Sequence, residues 1–231
     1  MISVNQIKNR LVEIQERIHF SSTHSQVDSS LIEIMAVTKT HSLSVVEMAI
    51  DAGVSLIGEN RVKEAREKMS PKLENIQIHL IGHLQRNKVR AAVNVFDCIQ
   101  SIDKIETAIS LQNALKEADR TIDVLLQLNT SADPNKSGFV TEEALYTGLD
   151  KIEELDRLCV RGLMTVAAYQ VEEKDLRICF SRLRELFENL KKNRKNFNVL
   201  SMGMSGDFEI AVEEGSNHLR LGSILFGERK Y

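Results

Sequence analysis

The chain has 231 residues, of which 42% are hydrophobic and 27% are charged, and its formal net charge is −3. This composition is typical of a globular protein with a substantial core, and the slightly negative charge argues against a general nucleic-acid-binding protein, which is usually basic. Three widely spaced cysteines do not predict a disulfide framework. The amphipathic N-terminus lacks the apolar core of a signal peptide and no stretch is long enough to span a membrane, so we expect a cytoplasmic protein.

Strand and helix patterns alternate after an amphipathic helix predicted at residues 4–19. Short apolar runs predict strands at residues 31–37, 54–58, 76–82, 96–101, 122–129, 159–164, 197–203 and 218–223. Helical patterns lie between them, at residues 42–53, 60–70, 101–118, 141–155, 173–192 and 206–216.

This alternation predicts an α/β protein made of parallel β-α-β units. Eight units in a chain of this size match a (β/α)8 TIM barrel, and an open doubly wound sheet is the main alternative. No linker-like or low-complexity stretch interrupts the pattern. We therefore expect a single domain over residues 1–231, with residues 1–30 as an extra N-terminal helix and lead-in.

The first predicted strand runs into a lysine. In "EIMAVTKTHS" (residues 33–42) the apolar run stops at Lys39, which by alternation shares a face with Val37, Met35 and Glu33. Active sites of barrels lie at the carboxyl ends of the strands, where a lysine can form a Schiff base with a carbonyl group. A surface lysine that happens to end a strand explains the pattern equally well, so Lys39 alone does not decide.

Arg220 lies in the last predicted strand, between Leu219 and Leu221. If the leucines face the helices, the guanidinium points into the barrel, where a buried charge needs a partner. The partner is either a structural carboxylate, for which Glu33 is a candidate, or a polar atom of a ligand.

Glycine and serine follow the last two strands, in "SMGMSGD" (residues 201–207) and "LGS" (residues 221–223). Gly203 and Gly206 free the backbone, and Ser205 and Ser223 offer hydroxyl groups. The loops after strands 7 and 8 are where barrels most often bind a phosphate, and N–H groups at the start of a helix favour an anion. Two such loops together predict a phosphate site.

Polar residues near the third strand do not predict a metal site. His79 and His83 lie in "HLIGHLQRNK", but no HExxH motif and no third ligand accompany them. Asn60 follows the second strand and adds a polar group to the same end of the barrel.

A phosphate site, a Schiff-base lysine and an interior arginine together predict a ligand with a phosphate, an aldehyde and a third polar point. Pyridoxal 5′-phosphate has all three. Sugar-phosphate aldolases are the rival interpretation, since they also combine a barrel lysine with a phosphate site.

At these residues the chain resembles the pyridoxal phosphate homeostasis proteins, which are related to the barrel domain of alanine racemase. The similar segments extend from about residue 31 to the end and include "AVTKT", "IGENRVKEAREK", "NKSGF", "RGLMTVA", "SMGMSGDFEIAVEEGS" and "RLGSILFGERKY". The chain has "AVTKT" where many members have "AVSKT", "SGD" for "SDD", and "GHLQRNK" for the more usual "GPLQ-NK". None of these departures touches Lys39 or Arg220.

The resemblance implies a role for each candidate residue. Lys39 would carry the cofactor as an aldimine, the phosphate would lie on Ser205, Gly222 and Ser223, and Arg220 would face the pyridine nitrogen. The binding residues implied in full are Lys39, Asn60, His79, Met204, Ser205, Arg220, Gly222 and Ser223. Asn60 and His79 would line the ring, and Met204 belongs to the phosphate-loop segment.

The resemblance also implies a binding protein that takes part in vitamin B6 homeostasis, not an enzyme. Two-base racemisation needs an acid or base on each side of the substrate carbon, and only Tyr169 among the tyrosines is expected near the site. Arg220 can only donate, so the ring nitrogen beside it stays unprotonated and is a weaker electron sink, which disfavours transamination without excluding racemisation. A racemase-like enzyme is the alternative. We expect a monomer, with apoenzymes that use the cofactor as possible partners.

Overall fold

The computed structural model describes residues 2–25, 27–130, 137–167 and 172–228. Eight parallel strands form a closed barrel, in which each strand pairs with the next and the last pairs with the first. The strands are β1 Glu33–Val37, β2 Leu56–Glu59, β3 Gln77–Leu80, β4 Cys98–Ile102, β5 Ile122–Gln127, β6 Leu158–Met164, β7 Val199–Met204 and β8 His218–Leu221. The barrel prediction is confirmed, and the open sheet is excluded.

The helices of the described residues surround this barrel. They are α1 Val4–Ser22, α2 Leu43–Asp51, α3 Val62–Glu67, α4 Val89–Ala92, α5 Ile105–Glu117, α6 Glu142–Glu153, α7 Glu173–Lys191, α8 Phe208–Glu213 and α9 Ser223–Phe226. The predictions missed α4 and α9, because a single turn is too short to show a hydrophobic period. For the same reason the last strand was predicted to run to residue 223, whereas it ends at Leu221 and Ser223 starts α9.

Helix α1 starts with a capping box, in which Ser3 and Gln6 bond each other's backbone N–H. Its buried stripe of Ile7, Ile14 and Ile18 packs against the helices near the two ends of the barrel sequence, α2, α8 and α9. Among all the residues that the structure describes, no helix is long and apolar enough to cross a membrane.

The buried polar residues of the barrel strands are concentrated in the barrel interior, beside a small apolar cluster of Cys98, Leu125 and Met164. Between strands and helices the core is apolar, with strand residues such as Ala36, Ile57 and Leu219 packed against the helices. Inside the barrel, buried polar side chains from several strands meet one another, among them Gln100 and Arg220. The polar interior is therefore the part of the fold that needs a chemical explanation.

Candidate functional site

Lys39 lies two residues beyond the end of β1, and its side chain is partly buried. The residue before it is held on all its polar atoms. Thr38 donates its N–H to the Gly58 carbonyl at 3.0 Å and its hydroxyl to Glu59 Oε1 at 2.6 Å. Its carbonyl accepts a hydrogen bond from Lys68 Nζ at 2.8 Å. The backbone leading to Lys39 is thus fixed by β2 and the end of α3.

The residue after Lys39 is also held. Thr40 adopts a left-handed backbone with φ of 68°, unusual for a residue other than glycine, and donates its N–H to Glu64 Oε2 at 3.2 Å. Because both neighbours are tied to β2 and α3, the position of Lys39 is set by more than the strand itself.

A buried ion pair supports this arrangement and was not predicted. Lys68 Nζ lies 2.7 Å from Glu59 Oε1, and the two side chains are 9% and 1% exposed. We call Thr38, Glu59 and Lys68 the Glu59 cluster. The signal was present in "IGENRVKEAREK" (residues 57–68), in which a carboxylate ends a buried strand and a lysine ends the following helix.

Arg220 is buried inside the barrel, as predicted, and pairs along the sheet with Met35 on β1 and Met204 on β7. Its Nη1 donates to Ser201 Oγ at 2.7 Å and its Nη2 to the Thr165 carbonyl at 2.6 Å. Burial lowers the pKa of Arg220 to about 10, and the nearby Asp207 carboxylate opposes this shift. The guanidinium therefore remains charged at neutral pH.

The suggestion that Glu33 is the partner of Arg220 is wrong. Glu33 lies two residues lower on β1, paired in register with His218, and its Oε2 lies 2.9 Å from His218 Nδ1. This hydrogen bond holds the pKa of Glu33 below its ordinary value. The register of β1 against β8 thus places the Glu33 carboxylate beside His218 and away from Arg220.

A continuous chain of hydrogen bonds links these two ends through the barrel. Ser201 Oγ donates to Gln100 Oε1 at 2.7 Å. Gln100 Nε2 lies 2.9 Å from His79 Nδ1 and 2.8 Å from His218 Nε2, and the two rings stack with centroids 5.7 Å apart. Burial, with a smaller effect of the neighbouring His218, lowers the pKa of His79 to about 3. We call this set the interior chain; its members are Arg220, Ser201, Gln100, His79, His218 and Glu33.

The two predicted phosphate loops meet at Ser205. Its hydroxyl oxygen accepts the N–H groups of Gly222 at 3.1 Å and Ile224 at 3.3 Å. These N–H groups therefore point at a hydroxyl in the structure, whereas the sequence predicts that they point at an anion. Because both bonds enter on the oxygen lone pairs, the hydroxyl hydrogen of Ser205 is available as a donor.

The β7–α8 turn has its own carboxylate. Asp207 Oδ1 accepts the N–H of Met204 at 2.5 Å, and burial raises the pKa of Asp207. Gly203 has a φ of 95°, and a Cβ there would lie 2.6 Å from the Ala211 Cβ, so this turn requires glycine.

The β8–α9 loop lies beside the end of β1. A Cβ on Gly222 would make ordinary contacts with Val37 at 3.5 Å, and Val37 is two residues before Lys39. Ser223 is exposed at the start of α9. The structure thus brings together the loop with Gly222 and Ser223, the turn with Met204 and Ser205, and the strand end with Lys39.

Asn60 and His79 occupy different levels of the site. Asn60 directly follows β2 and is partly buried, and its backbone lies so close to Gly82 that a Cβ there would come within 2.2 Å of the Asn60 carbonyl oxygen. His79 lies on β3 in register with Gly58 and is a member of the interior chain. Asn60 is therefore at the rim, whereas His79 is below it.

The third-strand histidines, the cysteines and Tyr169 are the remaining residues named from the sequence. Among the residues that the structure describes, no group of three histidine, cysteine or carboxylate side chains could hold a metal, and His83 Nδ1 pairs with Asp103 at 3.1 Å. Cys98 is buried, with a pKa raised by burial, whereas Cys159 is exposed. Tyr169 lies outside the described residues.

Comparison with the sequences of known proteins identifies a family. The family model for the alanine racemase N-terminal domain matches residues 7–230. A pyridoxal phosphate homeostasis protein of Haemophilus influenzae is 35% identical over 230 residues, which cover 97% of each chain. The chain belongs to the pyridoxal phosphate homeostasis protein family.

Solved structures give the same relationship. PipY of Synechococcus elongatus, whose structure has been solved with PLP bound, is 31% identical and superposes with a TM-score of 0.83 over 96% of this chain and 100% of that one. Alanine racemase of Clostridium difficile is 15% identical, with a TM-score of 0.78 over the whole of this chain and 58% of that one. At that identity the racemase shows only that the barrel fold is shared.

Proposed function

We propose that this chain binds pyridoxal 5′-phosphate covalently through Lys39 and takes part in intracellular vitamin B6 homeostasis, without catalysing turnover of a substrate. The observation that carries the proposal is the placement of Lys39 at the end of β1, between two residues tied to β2 and α3 and beside the Gly222 loop. The family relationship and the PLP-bound structure of PipY support it.

The described residues fit each part of this ligand. The Lys39 amine suits the aldehyde, since condensation of the two forms a C=N bond and releases water. The Ser205 and Ser223 hydroxyls suit the phosphate, because a dianion favours several short donors. Met204 and Gly222 belong to the same two loops, and their N–H groups bond Asp207 and Ser205. When bound, the cofactor supplies an aldehyde and an electron-withdrawing ring.

The ring would lie between the rim and the interior chain. Arg220 is assigned to the ring nitrogen, because two of its five N–H groups go to Ser201 and Thr165 and the guanidinium can only donate. Asn60 and His79 are assigned to the ring pocket. A ring nitrogen that accepts from arginine stays unprotonated, which disfavours transamination but does not exclude racemisation.

The covalent proposal is tested by borohydride reduction and peptide mapping. Wild type mixed with the cofactor is expected to show a visible absorption band that reduction fixes on Lys39. Lys39→Ala should lose the band and keep its fold. The matched control is Lys63→Ala, a lysine of α3 whose side chain is 83% exposed. An adduct of wild type that maps to another lysine would contradict the proposal.

A racemase-like enzyme is the second candidate, favoured by the match of residues 7–230 to the alanine racemase N-terminal domain. The loaded protein is incubated with each common amino acid, and racemisation, transamination and decarboxylation are measured against free cofactor. We expect no multiple turnovers; turnover of any amino acid would favour the racemase-like reading. Cleavage of a sugar phosphate without added cofactor would instead indicate an aldolase.

The remaining parts of the proposal concern the domain organisation, the oligomeric state, the location and the partners of the protein. Residues 1–231 act as one binding domain, a monomer in the cytoplasm, that transfers its cofactor to apoenzymes and binds neither nucleic acid nor membranes. Light scattering measures the oligomeric state. Incubation of the loaded protein with an apoenzyme that uses the cofactor is expected to restore activity faster than free release allows, and equal rates would contradict the transfer.

A further inference from the structure

Only one assignment of donors and acceptors satisfies every hydrogen bond of the interior chain. A guanidinium donates and never accepts, so Ser201 Oγ accepts from Arg220 Nη1. The Ser201 hydroxyl hydrogen must then go to its other neighbour, which is Gln100 at 2.7 Å. The Gln100 atom facing Ser201 is therefore the amide oxygen, and its NH2 group faces the two histidines.

The two amide hydrogens of Gln100 fix both rings. One hydrogen is directed at His79 Nδ1 and the other at His218 Nε2, so neither of these nitrogens carries a proton. His218 then holds its proton on Nδ1 and donates it to the Glu33 carboxylate at 2.9 Å. His79 holds its proton on Nε2.

The reversed arrangement satisfies fewer groups. If the Gln100 amide were turned over, its NH2 group would face Ser201, and Ser201 Oγ would accept from both Arg220 and the amide. The Ser201 hydroxyl hydrogen would then have no acceptor among these neighbours. Both histidines would have to donate to one amide oxygen, which puts the proton of His79 on Nδ1 and that of His218 on Nε2. Glu33, whose side chain is 51% exposed, would then lose its protein donor and be left to water. To keep that donor, His218 would have to take up a second proton and become charged inside the barrel.

We propose that Gln100 is the positioning residue of the site: its amide orients Arg220 through Ser201 and keeps His79 and His218 in opposite neutral tautomers. The part of this proposal that concerns the ligand rests on the proposed function. There, an oriented Arg220 recognises a ring nitrogen that accepts a hydrogen bond, so Gln100 selects for an unprotonated pyridine ring without touching it.

The tautomers are measured in the ligand-free protein by nitrogen-15 NMR of the histidine rings. Wild type is expected to show His79 protonated on Nε2 and His218 protonated on Nδ1, both neutral at pH 7. Gln100→Glu replaces the donor by a group that only accepts, so at least one of the two rings should become protonated. A wild-type His79 that carries its proton on Nδ1 would overturn the proposal, whether or not any variant folds.

Ligand selection is measured with two ligands that differ in one atom, pyridoxal 5′-phosphate and its 1-deaza analogue, in which C–H replaces the ring nitrogen. Gln100→Met, which keeps the size of the side chain, is expected to weaken binding of the natural ligand about tenfold. The same variant should change binding of the deaza analogue less than twofold, because Arg220 has no nitrogen to recognise there. Equal losses for both ligands, or no loss for either, would overturn the positioning role.

The matched control is Gln112→Met. Gln112 is also a buried glutamine, but it lies on α5 and accepts the N–H of Arg157 at 3.0 Å, away from the barrel interior. It should bind both ligands like wild type. Wild type that bound neither ligand would contradict the proposed function instead, and the NMR tautomers would still decide the interior chain.

Discussion

The Glu59 cluster and the interior chain are two polar networks next to the candidate site, and they differ in how their charged side chains are arranged. All members are at least partly buried except Glu33, whose side chain is 51% exposed. In the Glu59 cluster a carboxylate and an ammonium lie 2.7 Å apart, and Glu59 Oε2 has no hydrogen-bond partner among the described residues. In the interior chain Ser201, Gln100 and His218 lie between Arg220 and Glu33, and no buried side-chain atom of its members lacks a partner among the described residues.

This difference corresponds to what each group supports. The Glu59 cluster fixes a backbone, the turn that carries Lys39, for which a strong local contact is sufficient. The interior chain fixes the direction of a side chain, and direction depends on each donor facing one acceptor. Substitutions in the Glu59 cluster should therefore mainly lower the free energy of unfolding. Substitutions at Gln100 or Ser201 in the interior chain should mainly reduce discrimination between ligands.

The largest expected effect follows from breaking the buried ion pair. Lys68→Met leaves Glu59 charged and buried without a cation, which should lower the free energy of unfolding by about 3–5 kcal/mol. The double variant Glu59→Gln, Lys68→Met carries no buried charge and should recover most of that loss. Urea denaturation measures all of these, with the exposed Lys63→Met as control. A double variant as unstable as the sum of its single changes would contradict this account.

The second effect is a pH dependence from His79. The pKa of a histidine is about 6.5 in an unfolded chain and about 3 for His79 in the fold. Between these values the unfolded chain binds a proton that the folded chain does not. Stability should therefore fall as the pH falls from about 6.5 towards 3, by up to about 1.4 kcal/mol per pH unit.

Urea denaturation at pH 7, 6 and 5 measures this dependence in wild type and in His79→Gln, which should have a shallower slope. His19→Gln, an exposed position on α1, is the control and should keep the wild-type slope. Identical slopes in wild type and His79→Gln would remove His79 from the explanation.

A third, smaller effect separates phosphate binding from covalent attachment. Ser205→Ala and Ser223→Ala should each weaken binding of pyridoxal 5′-phosphate about tenfold, because a charge-assisted hydrogen bond contributes about 1.5–3 kcal/mol. Pyridoxal, which lacks the phosphate, should bind weakly to wild type and be little affected. Titration of both ligands, with Ser110→Ala on α5 as control, checks this. If pyridoxal binds as tightly as its phosphate ester, these loops are not the phosphate site.

The smallest effect concerns Asp207, a carboxylate in the turn next to the proposed phosphate. Asp207→Asn keeps an oxygen for the Met204 N–H and removes a negative charge, so binding of pyridoxal 5′-phosphate should tighten about threefold. Binding of pyridoxal should not change. A weaker affinity for the phosphate ester would mean that the charge of Asp207 mainly holds Arg220.

The sequence predicted the parts that depend on local pattern. Each strand of the barrel was visible as an apolar run, and Lys39 and Arg220 stood out as charges at the ends or in the middle of such runs. The strand ends were less accurate, since a strand and a following single-turn helix such as α9 differ by a few dihedral angles.

The supporting residues were not predictable in the same way. Gln100 is one polar residue in "CIQS", and its partners His79, His218 and Ser201 lie on three other strands. They meet only when the barrel closes with a particular stagger, which no local pattern specifies. Lys68 likewise reaches Glu59 because of how α3 packs on the strands.

The candidate site combines residues from early and late parts of the sequence, so it can form only after the last strands and helices have folded. Strand β1 pairs with β8, Arg10 Nη1 donates to the Leu225 carbonyl at 2.8 Å, and Arg17 pairs with Glu209 at 2.7 Å. During synthesis the first 40 residues leave the ribosome long before these partners exist, and contacts so far apart in sequence form slowly. Lys39 is made early, yet its neighbours from β7, β8 and α9 arrive last. Capture of the ligand should therefore mark the completion of folding.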